Sequence, residues 1–297
     1  MNVVEGTPKL LMSAVVYATD FSKCSENAGR YASLLARQFD AELAVAHAFE
    51  LSQAAMEAEA KGGPSARSSL RKDLESALKA VAERLADGMK RVVPILLEGD
   101  PKKQIPALAR AKEPSFIVLG TQGRSRIGRG LLGSVAEEIL RSAASPTLTV
   151  GPQVPTPERE SMPFRRILYA TGLSPAAAHT AQHAVAVARA SGAEMRVLHV
   201  IHREDVEDAE RMLEIRRQFD AMIEKQVPSA ASEIQNPICV VEVGNAHEQI
   251  LHHLREYCAD LLVLGVRKTS HLWLESRRSG AFQIIAESPC PVMTIVR

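Results

Sequence analysis

The chain has 297 residues, 46% of them hydrophobic and 24% charged, with a formal net charge of +1. That length suits about two domains of ~150 residues, each able to bury its own core, and so small a net charge argues against a general nucleic-acid binder. No apolar run approaches the ~18–20 residues of a spanning helix, and the first residues lack a basic stretch followed by an apolar signal core. The expected location is therefore the cytoplasm, with neither membrane nor nucleic acid as a partner.

In chain order, short β-branched runs alternate with longer amphipathic stretches, the pattern of βα units around a parallel sheet. Strands are predicted over residues 13–19, 42–48, 91–97, 115–120 and 147–150, with helices between them over 23–38, 65–87, 101–111 and 134–142. Residues 54–68, rich in Ala, Gly, Ser and Glu, read as a mobile loop long enough to act as a lid. Gly151-Pro-Gln-Val-Pro-Thr-Pro157, followed by charge as far as Glu160, reads as an exposed linker. This divides the chain into a domain over 1–152, a linker over 153–163 and a second domain over 164–297. In the second half, Ser174-Pro175 has the form of an N-cap followed by proline at the first helical position, and Ser22 stands in the matching place of the first half. Residues 203–226 are predicted to form one charged helix whose apolar stripe, Val206, Met212, Leu213, Ile215, Phe219, Met222 and Ile223, faces a core. The runs Phe116-Ile-Val-Leu119 and Leu261-Leu-Val-Leu264 do not alternate, as expected of central parallel strands covered on both faces. Cys24, Cys239, Cys258 and Cys290 form no Cys-x-x-Cys pair and read as incidental thiols.

The two halves are copies. Tyr17-Ala-Thr-Asp-Phe-Ser22 returns 152 residues on as Tyr169-Ala-Thr-Gly-Leu-Ser174, and Ala41-Glu-Leu-Ala-Val-Ala-His47 as Ala193-Glu-Met-Arg-Val-Leu-His199. Farther along, Phe116-Ile-Val-Leu-Gly120 returns as Leu261-Leu-Val-Leu-Gly265 and Pro146-Thr-Leu-Thr-Val150 as Pro291-Val-Met-Thr-Ile295, now 145 residues on. Solenoid repeats run only ~20–50 residues, so a period this long duplicates a whole domain.

The strongest local signal is Gly120-Thr-Gln-Gly123-Arg-Ser-Arg-Ile-Gly-Arg-Gly-Leu-Leu-Gly133-Ser134, running from the end of a buried strand into a helix. Open α/β sheets bind ligands outside the carboxyl ends of their strands, and a helix N-terminus offers free N–H groups to a phosphate. Gly120 and Gly123 permit a tight turn against a ligand, Gly133 avoids a Cβ clash, and Ser134 adds a hydroxyl. Arg124, Arg126 and Arg129 inside the loop either neutralise phosphates or are solvated.

These residues resemble the universal stress protein family in its tandem form. The spacing Gly-x2-Gly-x9-Gly-Ser/Thr, met by Gly120, Gly123, Gly133 and Ser134, is that family's ATP-binding signature, and Ala18-Thr-Asp-Phe-Ser22 is similar to its first strand and turn. The resemblance implies two tandem Rossmann-like, flavodoxin-like α/β domains, each a five-stranded parallel sheet flanked by helices. It also implies ATP, with magnesium, at a site of Asp20 (ribose and base), Ala48 (adenine, through its backbone), and Gly120, Gly123, Arg124, Gly133, Ser134 and Val135 about the phosphates. Family members commonly pair domains through their last strands, which would join residues 147–150 to 294–296, cover two sheet edges, and leave a homodimer of tandem chains as the next level of assembly. The second copy departs from the signature: Asp20 corresponds to Gly172, Gly123 to Lys268 and Gly133 to Arg278, with only Gly265 and Ser279 retained. It is expected to have lost ATP, unless Lys268, Arg277 and Arg278 grip an anion directly.

The other motifs weigh less. Gly128-x-Gly130-x-x-Gly133 does not follow a strand directly, and neither a Walker A motif nor the phosphate loops of related pyrophosphatases and nucleotidyl transferases occur. His247 and His252 sit five apart, about 140° around a helix, so they do not converge on a metal and read as surface histidines. His47 and His199, at the ends of equivalent strands, read as packed or hydrogen-bonded. No catalytic base or paired metal-binding carboxylates stand out, so hydrolysis is expected to be slow at most. ATP then acts as a signal, read by an unidentified protein partner. A module for another ligand or protein and a true ATPase remain the alternatives.

Overall fold

The computed structural model describes residues 12–53, 56–57, 66–89, 91–123, 131–157, 164–173, 177–206, 208–226, 237–266 and 280–296. The first half runs β1 (Ala14–Ala18), α1 (Lys23–Gln38), β2 (Glu42–Phe49), α2 (Ala66–Leu85), β3 (Val92–Glu98), α3 (Pro101–Ala111), β4 (Ser115–Gly120), α4 (Ser134–Ser142) and β5 (Thr147–Val150). The second runs β6 (Arg166–Ala170), α5 (Ala177–Ser191), β7 (Glu194–Ile201), α6 (Ala209–Gln226), β8 (Ile238–Val243), α7 (Ala246–Glu256), β9 (Leu261–Val266), α8 (Gly280–Glu287) and β10 (Val292–Val296). No described helix is long and apolar enough to cross a membrane. Most of the loop expected at 54–68 lies outside the described residues.

Alternation along β1 explains the layering. Val15 and Tyr17 project into the core that contains Tyr31, Leu35 and Leu78 of α1 and α2, while Val16 projects into a second core with Ile105 of α3 and Ile139 of α4. Fully burying each such side chain is worth about 1.5–3 kcal/mol. Helix α1 begins where the Ser22 hydroxyl accepts from Ser25 N–H at 3.2 Å, and it presents Ala28, Tyr31, Ala32 and Leu35 inward at helical spacing.

The ten strands form one sheet in the order β3-β2-β1-β4-β5-β10-β9-β6-β7-β8. Within each half every pairing is parallel, and β5 meets β10 antiparallel through Val292↔Thr149, Met293↔Leu148 and Thr294↔Thr147. The pairing on β10 starts two residues earlier than the segment 294–296 expected from sequence. Because the join is antiparallel, the carboxyl ends of the two sets of strands point in opposite directions. One core cluster crosses the join, from Val15 and Tyr17 through Leu148 and Phe164 to Tyr169 and Met293.

Three local expectations are corrected. The linker is not simply exposed: Val154 is buried, its carbonyl accepts from the Asn27 amide at 2.9 Å, and the Pro155 carbonyl accepts from the Tyr31 hydroxyl at 3.0 Å. The helix expected over 203–226 begins only at Ala209, after a 3-10 turn over Arg203–Asp205, with the Asp208 carboxylate accepting from Arg211 N–H at 2.8 Å. Its Leu213, expected to face the core, is 57% exposed, whereas Ile215, Phe219 and Ile223 are buried.

Since the halves share a core, the chain should unfold in one calorimetric transition. Leu148→Ala should cost about 2–5 kcal/mol and separate that transition into two; two transitions already in wild type would show that the β5–β10 join does not couple the halves.

Candidate functional site

Strand order reverses between β1 and β4: the chain proceeds from β1 outward through β2 and β3, then returns to β4 on the other side. Loops leaving such a switch point diverge and open a crevice at the strands' carboxyl ends. A cavity of about 440 Å³ lies there. It brings together Asp20, Ala48, Gly120, Gly123, Gly133, Ser134 and Val135, all residues singled out from sequence. Arg124, Arg126 and Arg129 lie outside the described residues. Sequence reasoning missed Thr19, Ser25, Pro101, Ile105 and Gln122, which also line the cavity. Pro101 and Ile105 were within reach of it, because α3 starts at the carboxyl end of β3 on the same edge of the sheet.

The turn after β1 is held by a chain of hydrogen bonds. The Tyr17 hydroxyl donates to the Ser25 carbonyl at 2.6 Å, the Thr19 and Ser25 hydroxyls lie 3.1 Å apart, and Phe21 N–H donates to Thr19 Oγ1 at 3.0 Å. Ser22 N–H donates to Asp20 Oδ1 at 3.0 Å. Phe21 pays for this turn with a φ of +61°, a conformation costing a non-glycine residue about 1–2 kcal/mol. Burial opposes ionisation of the Asp20 carboxyl, but hydrogen bonds from the Ser22 side chain and amide and from Ser25 outweigh it and hold the pKa below the ordinary carboxylate value. Asp20 is therefore an anion at neutral pH.

The glycines differ in what they accommodate. A Cβ on Gly120 would lie 3.0 Å from backbone atoms of Cys24 and Ser25, so this glycine seats the first turn of α1 against β4. Gly265 does the same in the second half, where a Cβ would lie 2.6 Å from Thr180 Oγ1. A Cβ on Gly123 would lie 2.8 Å from Asp20 Oδ2, so glycine at this position makes room for the carboxylate itself. Gly133 closes the loop, with its N–H donating to the Thr121 carbonyl at 2.7 Å. It is also the N-cap of α4 and supplies no side chain to the helix's first amides. Those amides are left for an anion. Glu137 in the first turn, which would repel one, is paired with Arg141 at 3.0 Å.

The second copy separates scaffold from site. The Tyr169 hydroxyl donates to the Ala177 carbonyl at 2.9 Å, as Tyr17 does to Ser25. His199 Nδ1 meets the Thr171 carbonyl at 2.9 Å, as His47 meets that of Thr19 at 2.7 Å. Burial lowers the His199 pKa, opposed by that backbone contact, so both histidines fasten the second strand to the first. Two cleft residues differ in the second half, where Gly172 stands in place of Asp20 and Ala177 in place of Ser25. Lys268, Arg277, Arg278 and Ser279 lie outside the described residues, as do Ser174 and Pro175.

Of the two histidines expected at the surface, His252 is exposed, whereas His247 is half-buried, with its Nε2 3.3 Å from the Glu287 carboxylate. His253, beside His252, is only 5% exposed and sits 3.3 Å from Glu242 and 3.5 Å from Glu256, with Arg196 3.4 Å away. Among the described residues no three His, Cys, Asp or Glu side chains are grouped to hold a metal ion, and all four cysteines are free.

Comparison with known proteins gives the following. The model of the universal stress protein family matches residues 12–151 and again 163–296. A universal stress protein of Methanocaldococcus jannaschii is 33% identical over 151 residues, covering 50% of this chain and 88% of that protein. One of Thermus aquaticus is 30% identical over 141 residues, covering 47% of this chain and 99% of that protein. The crystal structure of a universal stress protein from Archaeoglobus fulgidus superposes with a TM-score of 0.72 at 22% identity, covering 96% of each chain, a likeness of fold.

An ionised, hydrogen-bonded carboxylate stabilises the fold above its unfolded pKa, and that contribution disappears as pH falls through its lower folded pKa. Asp20→Asn should therefore cost about 1 kcal/mol at pH 7, measured by urea unfolding, with the gap to wild type closing as pH falls below the ordinary aspartate value of about 4. A gap independent of pH would contradict the geometry described for Asp20.

Proposed function

The chain belongs to the universal stress protein family, and from that premise we propose that it is a nucleotide-responsive regulatory protein with one competent ATP site, in its N-terminal half. The observation that carries this reading is the cavity at the β1/β4 switch point, where Asp20, the glycine loop and the uncapped start of α4 converge. Asp20 accepts from ribose hydroxyls, the backbone at Ala48 meets adenine, and Ile105, Pro101 and Val135 supply an apolar wall. The amides from Gly133 to Val135, with the Ser134 hydroxyl, receive the phosphates, joined by Arg124. Gly120 serves the site indirectly, by seating α1. Magnesium bound with the nucleotide would offset phosphate charge.

In this reading the Asp20 carboxylate is taken up by the ribose, and ATP acts chiefly by stabilising one conformation. Any hydrolysis stays well under the ~1–10³ per second typical of enzymes. A cytoplasmic location, a homodimer of tandem chains and a protein partner that reads the nucleotide state complete the proposal. The C-terminal half serves as a partner domain for the sheet.

Equilibrium dialysis with labelled ATP tests this. Wild type should retain ATP, and Gly123→Lys, which displaces Asp20 and fills the loop, should weaken retention by at least about a hundredfold, or ~2.7 kcal/mol. Failure of wild type to retain ATP would favour a module for a different ligand. In a phosphate-release assay, turnover above about 1 per second that vanishes with Asp20→Ala would instead favour a true ATPase.

A further inference from the structure

The ten-stranded sheet ends in β3 on one side and β8 on the other, and the two copies finish these edges differently. On β3, Gly99 N–H donates inward to the Phe49 carbonyl at 2.8 Å, so the alternation of a strand turns the backbone groups of Pro94, Leu96 and Glu98 outward. Pro94 has no N–H to present there, and α2 packs along the strand. On β8, Gly244 N–H donates inward to the Ile201 carbonyl at 2.9 Å, which turns Cys239, Val241 and Val243 outward. Counted back from the matching glycines, Cys239 stands where β3 has Pro94. Each outward residue of β8 thus carries both a donor and an acceptor.

Among the described residues no strand lies beyond β8. Ile238 is 56% exposed, and the rest of the strand is only half-buried. The helix on its α6 side packs on α5 and stacks Phe219 on His199 of β7, with ring centroids 5.4 Å apart. An apolar edge with all its outward groups intact is a template for another extended strand.

We infer that β8 is an interface between two copies of this chain, paired antiparallel with itself about Val241. A two-fold axis there sets Val241 opposite its own counterpart and Cys239 opposite Val243, so that every outward N–H meets an outward carbonyl. Cys239 and Val241, which pack at the margin of the core between the sheet and its helices, then continue that apolar strip from one copy to the next. Glu242 projects from the other face, opposite Val240, with His253 of its own copy 3.3 Å away, so no carboxylate lies directly opposite another. The chain already covers its inner edges in this manner, where β5 meets β10 antiparallel. Because Pro94 blocks β3, pairing stops at two chains and does not propagate. This inference rests on the homodimer proposed above, to which it assigns a surface, and it does not depend on ATP binding.

The test is sedimentation equilibrium of the full chain at micromolar concentration, where wild type should show twice the mass of one chain. Cys239→Pro, which gives β8 the residue β3 carries and removes no bond to β7, should sediment as a monomer at the same concentration, with its fold checked by thermal unfolding. Should that variant unfold, Val241→Cys decides alone. Under mild oxidation it should form a disulfide-linked dimer well above the level of wild type, because residues opposed in a hydrogen-bonded antiparallel pair hold their Cα atoms about 5.5 Å apart, within disulfide reach. A monomeric wild type would overturn the homodimer and this surface together. A dimer indifferent to Cys239→Pro, or a Val241→Cys chain that cross-links no more than wild type, would leave the homodimer standing and overturn β8 as its interface.

Discussion

A single methyl group is all that the space between Asp20 and residue 123 cannot accept. With Oδ2 of Asp20 lying 2.8 Å from where a Cβ on Gly123 would be, the carboxylate and the glycine are one feature and not two. The turn at Phe21, strained by its positive φ, and the hydrogen bonds from Ser22 hold the carboxylate in that place. The C-terminal half has lost both members together, carrying Gly172 and Lys268 at the matching positions. Once the carboxylate is gone, nothing requires a glycine opposite it. By contrast Gly120 and Gly265 both persist, because each seats a helix on its strand whether or not a ligand is bound.

The same comparison separates what folds the domain from what the N-terminal half adds to it. The tyrosine-to-carbonyl and histidine-to-carbonyl hydrogen bonds recur in both halves with nearly equal lengths. They fix the carboxyl ends of the first two strands in each half. Joining the halves antiparallel through β5 and β10 covers two sheet edges that would otherwise be open. It also points the two sets of carboxyl ends in opposite directions.

Strand positions were legible in the sequence because parallel strands buried on both faces leave unbroken apolar runs, such as Phe116–Leu119, which few other elements imitate. The positions of Gly123 and Gly133 were legible from a spacing of small residues at a strand end, and that of Asp20 only through the family resemblance. Interactions that depend on docking were not. The β5–β10 pairing starts two residues from its expected position because an antiparallel edge match is set by how the halves pack. Leu213, by contrast, points outward for a reason the spacing did contain: it lies about 160° around the helix from Ile215, off the stripe of Ile215, Phe219 and Ile223. His253 is buried because Arg196, Glu242 and Glu256 surround it from other elements or the next turn. That Gly120 serves packing could not be inferred without knowing which turn of α1 crosses it.

Native mass spectrometry of the intact chain at saturating ATP addresses the central claim directly, since it counts sites without regard to affinity differences among variants. One nucleotide per chain is expected, held where Asp20 and Gly123 lie against each other. Two per chain, or one that remains bound when Gly123 carries a lysine, would contradict it.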